Sequence, residues 1–154
     1  MAVFQEKNTL MNGLLFPLTD LPPSPGCDVN WMWYLAAFED KLHAQAGQDG
    51  VIGVIFDVIG TTEKPYFVEV GYNAPHLTEG SNTLHLHEQG WSGLLIDGEH
   101  QNHSINLHAH FVTHDNIVSI FDQHEVPLEP DYVSIDIDSI DVWVARSLLM
   151  SKYR

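Results

Sequence analysis

Short apolar runs alternate with amphipathic segments through the second half of the chain. Tyr66–Val70 is an apolar run that contains one acid and precedes a glycine, which predicts a strand followed by a turn. Residues 81–83 supply helix-capping side chains, and residues 84–89 have room for about two helical turns. Residues 94–96 predict a second buried strand with Asp97 at its carboxyl end. The stretch predicts a β-α-β unit, whose crevice binds nucleotide-like ligands in open parallel sheets.

The spacing of glycines narrows the class of ligand. A dinucleotide fingerprint needs G-x-G-x-x-G opening directly into a helix. In this chain Gly71 is followed by a longer loop that runs to Gly80, and Glu69 lies two residues before Gly71. An acid, one residue and a glycine, followed by a loop, is similar to the first motif of class I methyltransferases, which bind S-adenosylmethionine (AdoMet).

The rest of the chain continues the alternation of helical and extended patterns. Residues 31–46 repeat apolar side chains at helical spacing, and residues 50–59, between Asp49 and Gly60, predict another helix. The remaining predicted elements are a short helix over 100–106, a strand over 107–113, a helix over 117–124, a strand over 132–137 and a helix over 140–150. In the strand over 107–113, Leu107, Ala109 and Phe111 are expected to share one face, and His108 and His110 the other. In the last helix the expected inward side chains are Val142, Trp143, Ala145, Leu148 and Leu149.

This alternation predicts an α/β fold, a Rossmann-like parallel sheet with helices on both faces. The expected strand order of this sheet is 3-2-1-4. Residues 1–30, rich in proline, are expected to form an irregular N-terminal arm, and residues 31–154 a single domain. In that order the strand over 132–137 lies at an open apolar edge. Such an edge favours pairing with a second copy of the chain.

Charge and composition exclude several classes of partner. Six Lys and Arg residues stand against 21 Asp and Glu residues, a formal net charge of −15. Such a chain repels nucleic-acid phosphates and anionic membrane surfaces, so a small molecule, a glycan or a basic partner is expected. No apolar run has the length of a membrane span, and Cys27, the only cysteine, leaves no intrachain disulfide. A cytoplasmic protein is therefore expected.

Five segments, in the right order, resemble motifs of the FkbM-type family of class I methyltransferases. They are QDGVI at 48–52 with the apolar residues up to Gly60, FVEVG at 67–71, SNT at 81–83, GWSGLLID at 90–97 and VSIDID at 133–138. The resemblance implies a methyltransferase fold that lacks the three C-terminal strands of a full class I sheet. It also implies AdoMet as cofactor and O-methylation of a small-molecule or glycan hydroxyl.

Site residues follow from the same resemblance. Glu69 and Gly71 would organise the cofactor loop, and Asp97 would take the ribose hydroxyls. Asp136 or His114 would assist the acceptor as a general base. The other residues expected around the cofactor are Tyr72, Asn73, Gly98, Glu99, Thr113 and Asn116.

The sequence also allows other roles for some of these residues. The aspartates at 136, 138 and 141 could cap the following helix, contact the methyl acceptor or bind a hard cation. A bound cation would fit a metal-dependent hydrolase. The ten histidines show no metal-ligand spacing, so no metal site is predicted. Ala74 and Pro75 stand where the family has an acid and a second glycine. This departure favours the alternative function, a non-catalytic domain that acts through oligomerisation or partner binding.

Overall fold

The computed structural model describes residues 8–11, 14–17 and 35–153. Contacts among residues divide the chain into two compact units. The first comprises Met1–Leu42 and Ala46–Gly60, and the second comprises His43–Gln45 and Thr61–Arg154. Within the described residues, no helix is long and apolar enough to cross a lipid bilayer.

In the first unit, the described residues include a hairpin and one α-helix. β1 (Asn8–Met11) pairs antiparallel with β2 (Leu14–Pro17), within the stretch that was expected to be irregular. The other residues up to 34 lie outside the described part of the chain. α1 (Gln48–Ile59) confirms the predicted helix at 50–59 and begins two residues earlier, with Gly60 at its C-cap.

The helix predicted over 31–46 is wrong wherever the structure describes it. Residues 31–34 lie outside the described residues, 35–38 form a short 3-10 turn, and 39–46 are not helical. The Asp40 N–H donates to the carbonyl of Gly47 at 3.2 Å, and the Leu42 N–H donates to Asp49 Oδ2 at 3.0 Å. These bonds satisfy backbone groups that a helix would pair internally, so the chain turns back here despite its helical spacing of apolar residues.

The second unit is built on a four-stranded parallel sheet. Its strands are β3 (Tyr66–Val70), β4 (Ser92–Asp97), β5 (Leu107–Ala109) and β6 (Tyr132–Ile135). They pair in the order β5-β4-β3-β6, which is 3-2-1-4 in the numbering of this sheet. The predicted α/β Rossmann-like fold and strand order are therefore confirmed.

Two α-helices connect strands of this sheet, and a third follows β6. α2 (Leu84–Glu88), α3 (Ile117–Gln123) and α4 (Asp141–Leu149) match predicted helices, whereas the helix expected over 100–106 is only the 3-10 turn His103–Ile105. Apolar side chains of β3 and β4 meet those of α3 and α4 in one core. Its central members are Val68, Val70, Leu94, Ile96, Ile117, Phe121, Val144 and Leu148.

Two strands are shorter than the alternation predicts. β5 ends at Ala109, and the His110 N–H then donates to the carbonyl of Asp97, where β4 also ends. Without a neighbouring strand the chain leaves the sheet, so Phe111, which was expected to share a strand face with Leu107, is 81% exposed. Ala109 is also exposed, whereas Leu107 is buried. β6 likewise ends at Ile135 instead of residue 137.

The inward face of the last helix is also corrected. Val144 and Leu148 are buried, whereas Val142, Trp143 and Leu149 are 75%, 59% and 74% exposed. Residues 144 and 148 are four apart, so one narrow stripe contacts the core. The apolar residues on both sides of that stripe are exposed to solvent. Because most positions of this helix are apolar, the sequence pattern does not show which of them face the core.

Candidate functional site

A cavity of about 550 Å³ opens at the carboxyl ends of all four strands of the second unit. Its walls include residues 69–73 from β3 onward, 96–98 from β4, 110–112 after β5 and 136–139 after β6. β4 and β5 lie on one side of β3, and β6 lies on the other. The cavity therefore lies where the strand order reverses, which is the usual ligand crevice of open parallel sheets.

Glu69 is a buried acid that holds the start of α2. Its carboxylate accepts hydrogen bonds from the Ser81 hydroxyl at 2.7 Å, the Asn82 N–H at 3.0 Å and the Thr83 hydroxyl. Ser81 Oγ in turn accepts from the N–H groups of Thr83 and Leu84, at 3.1 and 3.0 Å. The residue is only 4% exposed and three donors compensate its charge, so its main contacts join the strand end to the helix start.

Gly71 allows two strand ends to approach each other. Its φ is +97°, and a Cβ atom here would lie 1.8 Å from the carbonyl oxygen of Asp136. The N–H groups of Gly71 and Tyr72 both donate to the carbonyl of Ile96, at 2.9 and 3.1 Å. Only glycine fits this turn, which brings β3, β4 and the end of β6 together at the cavity floor.

The loop after Gly71 forms its own hydrogen bonds. The Tyr72 hydroxyl donates to the carbonyl of His76 and accepts from the Thr78 N–H, both at 3.3 Å. The Asn102 amide donates to the carbonyl of Pro75 at 2.9 Å. The loop is therefore held by side chains, without a second glycine at residue 75 to turn it toward α2.

Asp97, at the tip of β4, organises two loops. Its Oδ2 accepts a hydrogen bond from the Asn73 N–H at 2.8 Å. Its Oδ1 accepts from the N–H groups of Glu99 and His100, at 2.8 and 2.6 Å, and also lies 2.8 Å from His100 Nδ1. Burial raises the pKa of this carboxyl, but the backbone donors outweigh burial and hold the pKa below its usual range. Asn73 has φ +57° and donates from a left-handed turn.

We expect the replacement Asp97→Asn to lower the free energy of unfolding by about 2 kcal/mol at neutral pH, because bonds to a charge become bonds to an amide. The folded pKa is lowered, so this stabilisation is complete above the ordinary value of 3.8 and disappears as the pH falls through the folded pKa. Urea unfolding should therefore give a difference between the two proteins that is constant from pH 7 to 5 and shrinks below pH 3.8. A difference that stays constant into acid would contradict this role, and the exposed change Glu129→Gln is the control.

The three aspartates that follow β6 have separate positions. Asp141 Oδ1 accepts from the Ile137 N–H at 2.8 Å, and Oδ2 accepts from the Ser139 N–H at 3.1 Å. The bond from Ile137 makes the larger contribution to lowering the pKa of Asp141, and the bond from Ser139 lowers it further. Asp136 and Asp138 are exposed and line the cavity. Asp141 thus holds the turn before α4, and the other two carboxylates face the space where a ligand would lie.

The cavity has a strongly acidic wall. None of the described residues that line it is a lysine or an arginine. Its carboxylates come from Glu69, Glu79, Asp97, Asp136 and Asp138. This charge disfavours phosphate-bearing ligands and favours a cationic or a hydroxyl-rich ligand.

Seven of the residues predicted from the sequence line this cavity, and four do not. The lining residues are Glu69, Gly71, Tyr72, Asn73, Asp97, Gly98 and Asp136. Glu99 contributes its N–H to Asp97, and Asn116 accepts from the Thr113 N–H at 2.7 Å to hold the turn before α3. His114 lies beside Asp115 with 55% of its side chain exposed.

Other lining residues were not predicted. Asn82 was assigned only to helix capping, but its amide also donates to the Ser134 hydroxyl at 3.2 Å, across to β6. Gln45, His110 and Phe111 also line the cavity. Of these, only His110 carried a signal, its alternation with His108, and that pattern pointed to a longer strand.

Four histidines cluster beside β5. His110 Nε2 lies 2.7 Å from His124 Nε2, the rings of His108 and His124 are 4.0 Å apart, and those of His103 and His108 are 5.0 Å apart. Burial and then the neighbouring histidines lower the pKa of His108 and of His124. In the part of the chain that the structure describes, no group of three or more acids, histidines or cysteines is placed to hold a metal ion.

Comparison with known proteins gives no relative. No family model, no curated protein and no solved structure matches the chain significantly. The function must therefore be argued from the cavity itself.

Proposed function

We propose that the cavity binds AdoMet and that the protein transfers its methyl group to a hydroxyl of a small molecule or glycan. The observation that carries this proposal is the cavity at the reversal of strand order, whose walls bear five carboxylates and, among the described lining residues, no lysine or arginine. AdoMet carries positive charge on its sulfur and its amino group, and two hydroxyls on its ribose. Carboxylates are the natural partners of all of these groups.

The residues fit distinct parts of such a ligand. Asp97, at the tip of β4, is the acceptor for ribose hydroxyls, because its Oδ2 accepts a hydrogen bond from the Asn73 N–H and a carboxylate oxygen accommodates two. Gly71 lines the cavity and allows the ends of β3 and β6 to lie close together there. Glu69 keeps the loop and the start of α2 in place and adds negative charge to the wall.

The acceptor side of the cavity would lie at the end of β6. AdoMet supplies an activated methyl group on a positively charged sulfur. Asp136, exposed at this end, would receive the proton that the acceptor hydroxyl loses as its oxygen bonds to carbon. Of the two candidate bases, only Asp136 lines the cavity. The chain otherwise contributes positioning, which is the main requirement of an in-line transfer. The proposal includes a cytoplasmic location, consistent with a single cysteine.

A second function is favoured by a different observation. Val142, Trp143, Leu149 and Met150 of the α4 region are 59–75% exposed, and β6 is an edge strand of the described sheet. A non-catalytic domain would use these features to pair with a second copy of the chain. A protein that is strictly monomeric by light scattering at high concentration would count against this alternative.

Calorimetric titration of the intact protein tests the proposed function. We expect AdoMet to bind at micromolar to high micromolar concentration and S-adenosylhomocysteine, which has one positive charge less, to bind about tenfold more weakly at low salt. NAD, with its two phosphates, should give no heat. Asp97→Asn should weaken AdoMet binding by about tenfold, and Glu129→Gln should leave it unchanged. Absence of AdoMet binding to a cooperatively folded protein would refute the proposal.

A further inference from the structure

A three-residue segment from far upstream forms part of the cavity wall. His43–Gln45 belongs to the second unit, and Gln45 lines the cavity beside Glu79 and Gly80. The carbonyl of His43 accepts from the Gly80 N–H at 2.7 Å, and Ala44 pairs with Gly80 as an isolated parallel bridge. This wall therefore depends on the contacts that hold residues 43–45 in place.

The ring of His43 lies between two carboxylates. Nδ1 is 3.1 Å from Glu79 Oε1 and Nε2 is 2.8 Å from Glu88 Oε2, while the side chain of His43 is only 19% exposed. A neutral imidazole has one N–H, so it can donate to only one of these groups; the imidazolium donates to both. The geometry is therefore that of a doubly protonated histidine that ties the loop before α2 to the end of α2.

We propose that His43, in its doubly protonated form, is a positioning residue that holds the 43–45 segment against Glu79 and Gly80 and so keeps one wall of the ligand cavity in place. When His43 loses a proton, one of the two carboxylates loses its donor and the wall loosens. The link to ligand affinity rests on the proposed function, whereas the behaviour of the wall itself does not.

The direction of the pH effect follows from the contacts. Hydrogen bonding to Glu88, then to Glu79, raises the pKa of His43 above its ordinary value of 6.5. The stabilisation is therefore complete below pH 6.5 and disappears as the pH rises through the folded pKa. The carboxylates that face the ring are Glu79, from the loop, and Glu88, from α2.

The first experiment needs no ligand. Hydrogen exchange of the Gly80 amide, corrected for intrinsic rates, should show about threefold stronger protection at pH 6 than at pH 8.5 in the natural protein. In His43→Gln this dependence should vanish. In Glu88→Gln, which keeps the histidine, the NMR titration of His43 should move toward its ordinary pKa. His87→Gln, on the exposed face of α2, is the matched control and should behave as the natural protein.

The second experiment adds AdoMet. Its affinity should fall about threefold between pH 6 and pH 8.5 in the natural protein and in His87→Gln, and this fall should be absent in His43→Gln. An unchanged Gly80 protection profile in His43→Gln would overturn the proposal, whatever AdoMet does. If AdoMet does not bind at all, the proposed function fails, while the ligand-free exchange still decides the role of His43.

Discussion

Replacement of Gly71 by alanine is expected to lower the free energy of unfolding by about 3 kcal/mol or more and to abolish ligand binding in the cavity. The φ of +97° is strained for any residue with a Cβ atom, and that atom would lie 1.8 Å from the backbone carbonyl oxygen of Asp136. Backbone cannot move aside as a flexible side chain does. The ends of β3 and β6 must therefore separate, and the cavity floor with them. Urea unfolding measures the first effect and calorimetry with AdoMet the second.

Gly98→Ala is the matched control, because Gly98 lines the same cavity but its added Cβ would meet no atom within 4 Å. Its stability should stay within about 0.5 kcal/mol of the natural protein. If both variants unfold alike, the close approach of β3 and β6 is not what fixes the site, and the account of the cavity floor is wrong.

Replacement of Glu69 by leucine is expected to cost about 4 kcal/mol of folding stability. The residue is 4% exposed, and its carboxylate accepts from the Ser81 and Thr83 hydroxyls and the Asn82 N–H, all of which lose this acceptor. Glu69→Gln keeps the shape and one acceptor oxygen, so we expect about half that loss. Urea unfolding of the two variants, with Glu129→Gln as an exposed control, measures this series.

The two variants also separate structure from binding. In Glu69→Gln the loop keeps most of its hydrogen bonds. A fall in AdoMet affinity in this variant would therefore come from the charge that the cavity wall loses, and we expect such a fall. Leucine at this position should in addition release the start of α2, which hydrogen exchange of the Leu84 amide would detect, since that amide donates to Ser81. Two variants with equal and small losses of stability would mean that Glu69 does not organise the loop.

The sequence predicted the sheet because its strands carry local signals. β3, β4 and β6 are short apolar runs, and the turn after β3 needs a glycine that stands in the sequence as Gly71. The acids Glu69 and Asp97 were found in the same way, since a charge inside or at the tip of an apolar run requires a partner. The alternation of strands with helices predicted that the sheet is parallel.

The sequence predictions are wrong or incomplete where contacts between residues far apart in the sequence determine the local structure. Residues 39–46 have helical spacing, but their backbone groups bond to residues around 47–50. Phe111 follows an alternating pattern, yet its strand ends at residue 109 because β4 ends at Asp97. Gln45 lies in the cavity wall because its neighbour Ala44 pairs with Gly80, and Asn82 because its amide bonds to Ser134. No local pattern carries that information.

Amide NMR of the intact protein, titrated with AdoMet to about 1 mM, tests the central claim most directly. The account predicts saturable shifts at Gly71, Asn73 and Gly98, at the tips of β3 and β4, and smaller shifts at Gly80. The Glu129 amide, in the exposed segment before β6, serves as the internal control. No saturable shift, or shifts that spare the tips of β3 and β4, would contradict an AdoMet site in this cavity.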